Sequence, residues 1–278
     1  MSQTWYAETP PDPVRITAAG VLRIVLRGCP VVLVIFGGLA VHLTVRLLER
    51  PLCGAHRPWT PWITQAVCRT TLWLFGLRFR VCGSIMTHPG ALVANHTSWL
   101  DIFTLNAAKR IYFVSKSEVA QWPVIGWLAR ATGTVFIDRD RRLAKAHNRI
   151  FEARLTDGHK LLFFPEGTST DGLRVLPFRT TLFAAFFAPD LRERAWIQPV
   201  SARYQAPRGA PARFYGWWGD MDFASDLLKI LAQSPQGGVV LTYHPPLRVG
   251  DFADRKALAR AAEAAVRAGV EDAPRTDD

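Results

Sequence analysis

The stretch VANHTSWLD, residues 93–101, places His96 between an apolar run and a small polar turn, with Asp101 five positions later. A histidine beside a carboxylate is a tuned proton acceptor, because the carboxylate fixes the tautomer and stabilises the imidazolium. On one regular helix, five steps of about 100° would leave the two side chains about 140° apart. They meet only if His96 lies in the turn before a helix beginning near Trp99, with Thr97 or Ser98 as its cap. A capping turn with an exposed aspartate is the plainer reading of the same residues.

Two further stretches carry chemistry-bearing residues at strand ends. In TVFIDRDRR, 134–142, Arg139 follows an apolar run and has the fork geometry for phosphate or carboxylate, and a solvated helix start is the plainer reading of the same residues. In KLLFFPEGTSTDG, 160–172, an apolar strand runs into Pro165, Glu166, Gly167 and Thr168. Gly167 permits close approach of backbone to a ligand, and Glu166 is costly to bury without a partner such as Arg139 or a cationic substrate. Thr168, Ser169 and Thr170 supply hydroxyls, though a hydroxyl-rich turn is also an ordinary loop. No serine sits in Gly-x-Ser-x-Gly, and no Walker or dinucleotide glycine pattern occurs.

The elements that must hold these residues alternate. Short β-rich runs (ALVAN, IYFV, TVFI, KLLFF, WIQPV, VVLTY) are separated by helical periodicity such as 141–156, which predicts an α/β fold. A strand end followed by a helix start is where such folds place ligands. The alanine-rich run FADRKALARAAEAAVRAG is expected to be a helix stopping at Gly269, with a disordered tail over 271–278.

With 49% apolar residues in 278, a folded core is expected. The excess of 34 Lys+Arg over 23 Asp+Glu suits anionic lipid surfaces, nucleic acid or phosphorylated molecules, and ten tryptophans tilt the choice toward a membrane interface. Residues 29–45 carry no Asp, Glu, Lys or Arg, and with Leu26, Leu47 and Leu48 the run approaches the ~20 residues that cross a bilayer. Arginines flank it on both sides, so orientation stays open, as does the choice between a span and an interfacial helix. Residues 59–80 read as an in-plane amphipathic helix, making 1–80 a membrane-docking arm ahead of a catalytic domain over 81–270. No secretory signal pattern is expected in 1–13. Cys29, Cys53, Cys68 and Cys82 match no zinc or disulfide spacing and are expected to be reduced, buried thiols.

NHTSWLD, VFIDR, FPEGT and IQPV (197–200) together resemble the hallmark blocks of the glycerolipid (lysophospholipid) acyltransferase family. The similarity covers roughly 92–200 and includes the Lys, Trp-Pro and Gly spacing of 113–133. It implies a mixed sheet flanked by helices, preceded by a membrane-associated arm. It further implies that His96 deprotonates an acceptor hydroxyl, that Asp101 orients it, and that Arg139, Glu166 and Gly167 bind the acceptor. The backbone around Pro199 would lie toward the acyl donor, a thioester of coenzyme A or acyl carrier protein. No metal or organic cofactor is implied, and no nucleic-acid partner. The setting implied is the cytoplasmic face of the cell membrane, with one substrate in the bilayer.

One block departs. Relatives that use lysophosphatidic acid usually carry arginine after the threonine of Pro-Glu-Gly-Thr, whereas this chain has Ser169. The variant PEGTSTDGLRVLPFRTTLF, with WWGDMDF at 217–223, is similar to bacterial enzymes that acylate lyso-ornithine lipid, an aminolipid without phosphate. Arg174 or Arg179 could restore the missing charge, so both acceptors stay open. A lipid hydrolase and a non-enzymatic basic membrane binder are the more distant alternatives.

Overall fold

A computed structural model of the chain describes residues 4–138 and 144–272. Helix α1 (Ala18–Cys53) and helix α2 (Thr60–Phe75) form a hairpin. Its turn is held by Glu49, fully buried, whose Oε1 accepts from Trp59 N at 2.7 Å and Thr60 N at 3.0 Å and so caps α2 from the neighbouring helix. Midway the helices touch so closely that a Cβ on Gly38 would lie 2.3 Å from a Val67 methyl. Gly76, left-handed at φ 74°, ends α2 and turns the chain directly into the sheet.

The strands are β1 (Arg78–Cys82), β2 (Gly90–Ala94), β3 (Tyr112–Lys116), β4 (Val135–Ile137), β5 (Leu161–Phe163), β6 (Trp196–Gln205), β7 (Gly238–Tyr243) and β8 (Leu247–Arg248). They form one mixed sheet in the order β1-β7-β6-β2-β5-β3-β4, with β8 beside the start of β6. Strand β6 runs antiparallel to β7 and β8, and every other pair is parallel. The expected mixed α/β architecture is therefore present.

Strand β2 lies in the centre and is buried at every position, because both faces are covered. Ala91 and Val93 face one core with Phe151 of α5 (Ala144–Thr156), Leu191 of the short α6 (Pro189–Arg192), and Leu258 and Ala262 of α8 (Arg255–Arg267). Leu92 and Ala94 face the other, with Leu72 and Phe75 of α2, Leu105 of α3 (Asp101–Ala108) and Ile230 of α7 (Phe223–Ala232). Helix α4 (Ile125–Thr132) connects β3 to β4.

Several expectations need correction. The boundary at residue 80 falls inside β1, and α1 and α2 share a core with β2, β6 and β7, so the arm is built into the body of the fold. The helix expected to 80 stops at Phe75, after which RFRVC pairs with β7. Gly269 does not end the last helix, which continues as a wider turn over Ala268–Asp272. A Cβ at 269 would meet Ser201 Oγ at 2.3 Å, so close packing, not chain termination, requires glycine there. Glu271 belongs to this turn and accepts from Val175 N, while 273–278 lie outside the described residues. Of the four free cysteines only Cys68 is fully buried, which pushes its thiol up to about 12, and Cys29 is exposed.

Candidate active site

The carboxyl ends of β2 and β5, adjacent parallel strands, bring together the two principal motifs. Beyond β2 the chain makes the turn His96–Leu100 before α3, and beyond β5 it makes the loop Phe164-Pro165-Glu166-Gly167-Thr168. A ligand site at this edge is what an α/β sheet provides.

His96 Nδ1 lies 2.8 Å from Asp101 Oδ2. The meeting arises as the sequence requires, with the histidine in the turn and the aspartate in the first turn of α3. Ser98 Oγ accepts from Leu100 N at 3.3 Å, the bond expected of a cap just before the helix, and the backbone N–H groups of Thr97 and Ser98 in addition donate to Asp101 Oδ2 at 2.8 and 3.0 Å. Asp101 is fully buried, so the plainer reading of an exposed aspartate is excluded. Because the carboxylate can only accept, Nδ1 donates, and Nε2 is left as the base. The ring stacks on Phe164 at 4.1 Å and 12°, and Phe164 stacks in turn on Phe113 at 5.9 Å. Its side chain keeps 21% exposure, enough for a substrate to reach it.

Glu166 does not face a substrate. It is 2% exposed and clamps two loops from within, Oε1 accepting from His96 N at 2.7 Å and Oε2 from Leu176 N at 2.8 Å. Burial pushes its carboxyl up to about 8 against the opposing pull of those two N–H groups, and the negative charge of Asp101 adds to the rise. Arg139, the anticipated partner, lies outside the described residues. The cost of burying Glu166 is met by backbone donors, which makes it a positioning residue.

Gly167, at φ 76°, lies under the exposed Arg179, whose Cζ would be 3.2 Å from a Cβ there. Arg174 is engaged by Asp171 in a two-pronged pair at 3.2 and 2.9 Å, and lies 5.2 Å from the Trp5 ring. Thr168 Oγ1 accepts from Trp5 N at 3.3 Å, and Ser169 is buried. Pro199 stands apart from these groups. It sits within β6 opposite Val93, between the stretch paired with β8 and the stretch paired with β7, where its missing N–H breaks no ladder. Its carbonyl accepts from His244 N at 3.0 Å, a structural role.

Two components have no counterpart in the sequence reading. Tyr204, near the end of β6, donates to Asp101 Oδ1 at 2.8 Å. It is 103 residues from its partner, so no local spacing signals it. The second is the segment 4–14, which straps the site: Gly219 N donates to Trp5 O at 3.1 Å, Tyr6 OH to Asp220 at 2.9 Å, and Arg213 binds Asp12 and Thr9. Between strap and residues 218–226 lies a cavity of about 550 Å3 lined by Glu8, Asp12, Asp220 and Asp222 among others. A tryptophan and a tyrosine inside an otherwise polar, proline-rich stretch were the available signal.

Among the described residues no group of three His, Cys, Asp or Glu side chains converges as a metal site would. A second histidine–hydroxyl pair, Ser201 with His244 Nε2 at 2.7 Å, is chemically closed. Ser201 spends its one proton on Val266 O at 2.8 Å, so His244 must donate to it, and no base faces the serine.

The acyltransferase family's sequence model matches residues 78–203. The chain is 60% identical to a lyso-ornithine lipid O-acyltransferase from Rhodobacter capsulatus over 96% of both chains. It is 34% identical to one from Pseudomonas aeruginosa over 88% of this chain and 93% of that one. A 1-acyl-sn-glycerol-3-phosphate acyltransferase from Neisseria meningitidis is 41% identical over 44% of this chain and 48% of its own. The fold is shared with the crystal structure of a 1-acyl-sn-glycerophosphate (LPA) acyltransferase from Thermotoga maritima, TM-score 0.57 at 20% identity, covering 88% of this chain and 97% of that one. On the near-complete match to relatives of this kind, the chain belongs to the acyltransferase family.

Proposed function

We propose that the protein transfers a fatty acyl group from a thioester to the hydroxyl of a membrane lysolipid, with lyso-ornithine lipid as acceptor. The observation that carries the chemistry is the orientation of His96: Nδ1 is committed to Asp101, and Nε2 is left to accept the hydroxyl proton. The deprotonating oxygen attacks the thioester carbonyl, the tetrahedral adduct collapses with loss of thiolate, and the imidazolium returns the proton to sulfur. A thioester is already activated, so a base and positioning meet the main needs, and no covalent enzyme intermediate or cofactor is required. The donor is an acyl-coenzyme A or acyl carrier protein thioester, and His96 and Asp101 are the catalytic pair.

The acceptor reading rests on charge. Ser169 stands where a phosphate-binding arginine would be, and Arg174 is held by Asp171. The cavity under the strap has Glu8, Asp220 and Asp222 in an otherwise largely apolar lining, a charge that disfavours phosphate and suits an ammonium-bearing head group. Arg179, exposed over Gly167, is the cation for the head group's carboxylate. Lysophosphatidic acid is the second reading, supported by the Neisseria relative and the Thermotoga fold match.

The same proposal places the enzyme flat on the cytoplasmic face of the cell membrane, where its thioester donors are. Helix α1 is apolar and long enough to cross a bilayer. It is nevertheless tied down at two points. Arg23 and Arg27 donate to the carbonyls of Ala232, Leu231 and Gln233 at the end of α7, and His42 Nε2 donates to Ala131 O of α4 at 3.0 Å. From Arg23 to His42 the helix rises about 28 Å, nearly the whole hydrocarbon core, so spanning would carry the body of the fold into lipid. Lying in the interface instead, α1 presents its exposed Leu26, Leu33 and Leu47 to the leaflet, and Trp73, Trp122 and Trp127, also exposed, are of the type that favours that interface.

The test is acyl transfer by membrane-reconstituted protein from acyl carrier protein and coenzyme A thioesters to lyso-ornithine lipid and lysophosphatidic acid side by side. Preferential formation of ornithine lipid is expected. Preference for lysophosphatidic acid would overturn the acceptor reading, and free fatty acid as sole product would overturn transfer itself.

A further inference from the structure

Asp101 is fully buried, and its two oxygens are used differently. Oδ2 accepts from Thr97 N, Ser98 N and His96 Nδ1, all within the catalytic turn, whereas Oδ1 accepts from the Tyr204 phenol at 2.8 Å. Strand β6 is separately locked to that turn by Asn95, whose Nδ2 donates to Ala202 O at 2.9 Å while its Oδ1 accepts from Ala202 N at 2.8 Å. Two residues farther along the same face, Tyr204 is therefore delivered to Asp101 by a strand already fixed in register.

We propose that Tyr204 is a positioning residue for acyl transfer, whose phenol tempers the charge of Asp101 and thereby sets the pH below which His96 ceases to act as base. This rests on the reading of His96 as the base. A carboxylate that accepts an additional strong hydrogen bond is a weaker partner for its other donors. Without the phenol, Asp101 would hold the His96 imidazolium more tightly, the proton would stay on to higher pH, and the fall of activity on acidification would begin earlier.

The surroundings make this separable from other titrations. Burial and the charge of Asp101 raise the Tyr204 phenol well above its ordinary value, so it remains a donor throughout the working range. Tyr215, with its ring 5.6 Å away, directs its hydroxyl to Gln236 and Gly237 and does not compete. Glu166, the second carboxyl at the turn, is pushed by burial up to about 8, on the alkaline side, with the charge of Arg267 pulling the other way. Thr104, whose hydroxyl donates to Asp101 O at 3.3 Å, carries no charge. Arg203 alternates to the opposite face of β6.

The experiment compares wild type, Tyr204→Phe and a site-specific 3-fluorotyrosine at 204, a stronger donor that keeps the ring. The kcat/KM of transfer to lysolipid is followed against pH, and the 15N resonances of the His96 imidazole, assigned with His96→Gln, are titrated without lipid. In Tyr204→Phe both the acidic limb and the imidazole titration are expected to move up by about one pH unit, and in the fluorinated protein to move down. A uniform loss of activity with both midpoints unmoved would overturn the proposal and leave Tyr204 a packing residue. An imidazole titration that moves while the acidic limb does not would retain the tyrosine's effect on His96 but contradict His96 as the base. Should the phenylalanine variant fail to fold, a fluorinated protein with unmoved midpoints would overturn the proposal equally.

Discussion

Two histidines in this fold sit 2.7–2.8 Å from an oxygen-bearing partner, and only one of them is equipped for catalysis. His96 donates to a carboxylate and keeps a lone pair facing partly open space, while His244 donates to a serine whose proton is already given to Val266 O. The difference lies in what surrounds each pair. Asp101 gathers donors from the turn and from Tyr204, which holds it as an acceptor and aims His96 outward. Ser201 and His244 are covered by the last helical turn, where Gly269 packs directly onto both. Burial also keeps His244 neutral by lowering its pKa. Proximity of residue types is thus insufficient, and the direction of each proton decides function.

The largest expected contrast comes from removing each histidine. His96→Ala should lower acyl transfer by about 10³-fold, the scale of a lost general base, while His244→Ala should act on stability by about 1–3 kcal/mol through its lost hydrogen bonds. Initial rates and urea midpoints of the two variants check this together. Next, Asp101→Asn keeps the shape but offers Nδ1 an amide, which can hold the imidazole in the wrong tautomer; a loss of about 10²–10⁴ is expected, with vesicle binding unchanged.

Smaller effects sharpen the account of burial. Glu166 has a folded-state pKa of about 8, raised above its ordinary 4.5, so its stabilising contribution is full below 4.5 and is lost as pH rises through 8. Glu166→Gln removes one acceptor, because an amide nitrogen cannot accept from Leu176 N, and should cost about 1–3 kcal/mol. The gap in Tm between wild type and variant should narrow from pH 6 to pH 9. The smallest effect at neutral pH concerns His159, buried against Tyr112 with both ring nitrogens unpartnered in the structure and its pKa lowered to about 3 by burial and by Arg154. The unfolded chain takes up that proton near 6.5, so stability is present above 6.5 and declines as pH falls toward 3. His159→Phe should leave the urea midpoint at pH 7 nearly unchanged and make the decline between pH 6.5 and 4 shallower.

The six apolar runs that predicted strands are all strands; β2 and β5, inside the sheet and buried at every position, are uniformly apolar because both faces are covered. RFRVC at 78–82 escaped notice since its arginines lie on an edge strand that follows a helix after a two-residue turn. His96 and Asp101 were legible because both belong to one local turn. Tyr204 was not, because its contact depends on how β6 registers against β2, which no spacing encodes. Glu166 was legible as a costly buried charge, but its partners are backbone N–H groups that carry no letter in the sequence. The strap at 4–14 went unread because its polar, proline-rich composition matches that of an unpacked tail.

The central claim is that the free nitrogen of His96, and not the Ser201–His244 pair, supplies the base for transfer to a lysolipid hydroxyl. It is tested most directly by measuring labelled acyl transfer in vesicles holding equal amounts of wild type, His96→Ala and His244→Ala. The expected result is near-complete loss of diacyl product in the first variant, with retention in whatever fraction of the second remains folded. Full transfer by the His96 variant, or its loss in a folded His244 variant, would contradict the account.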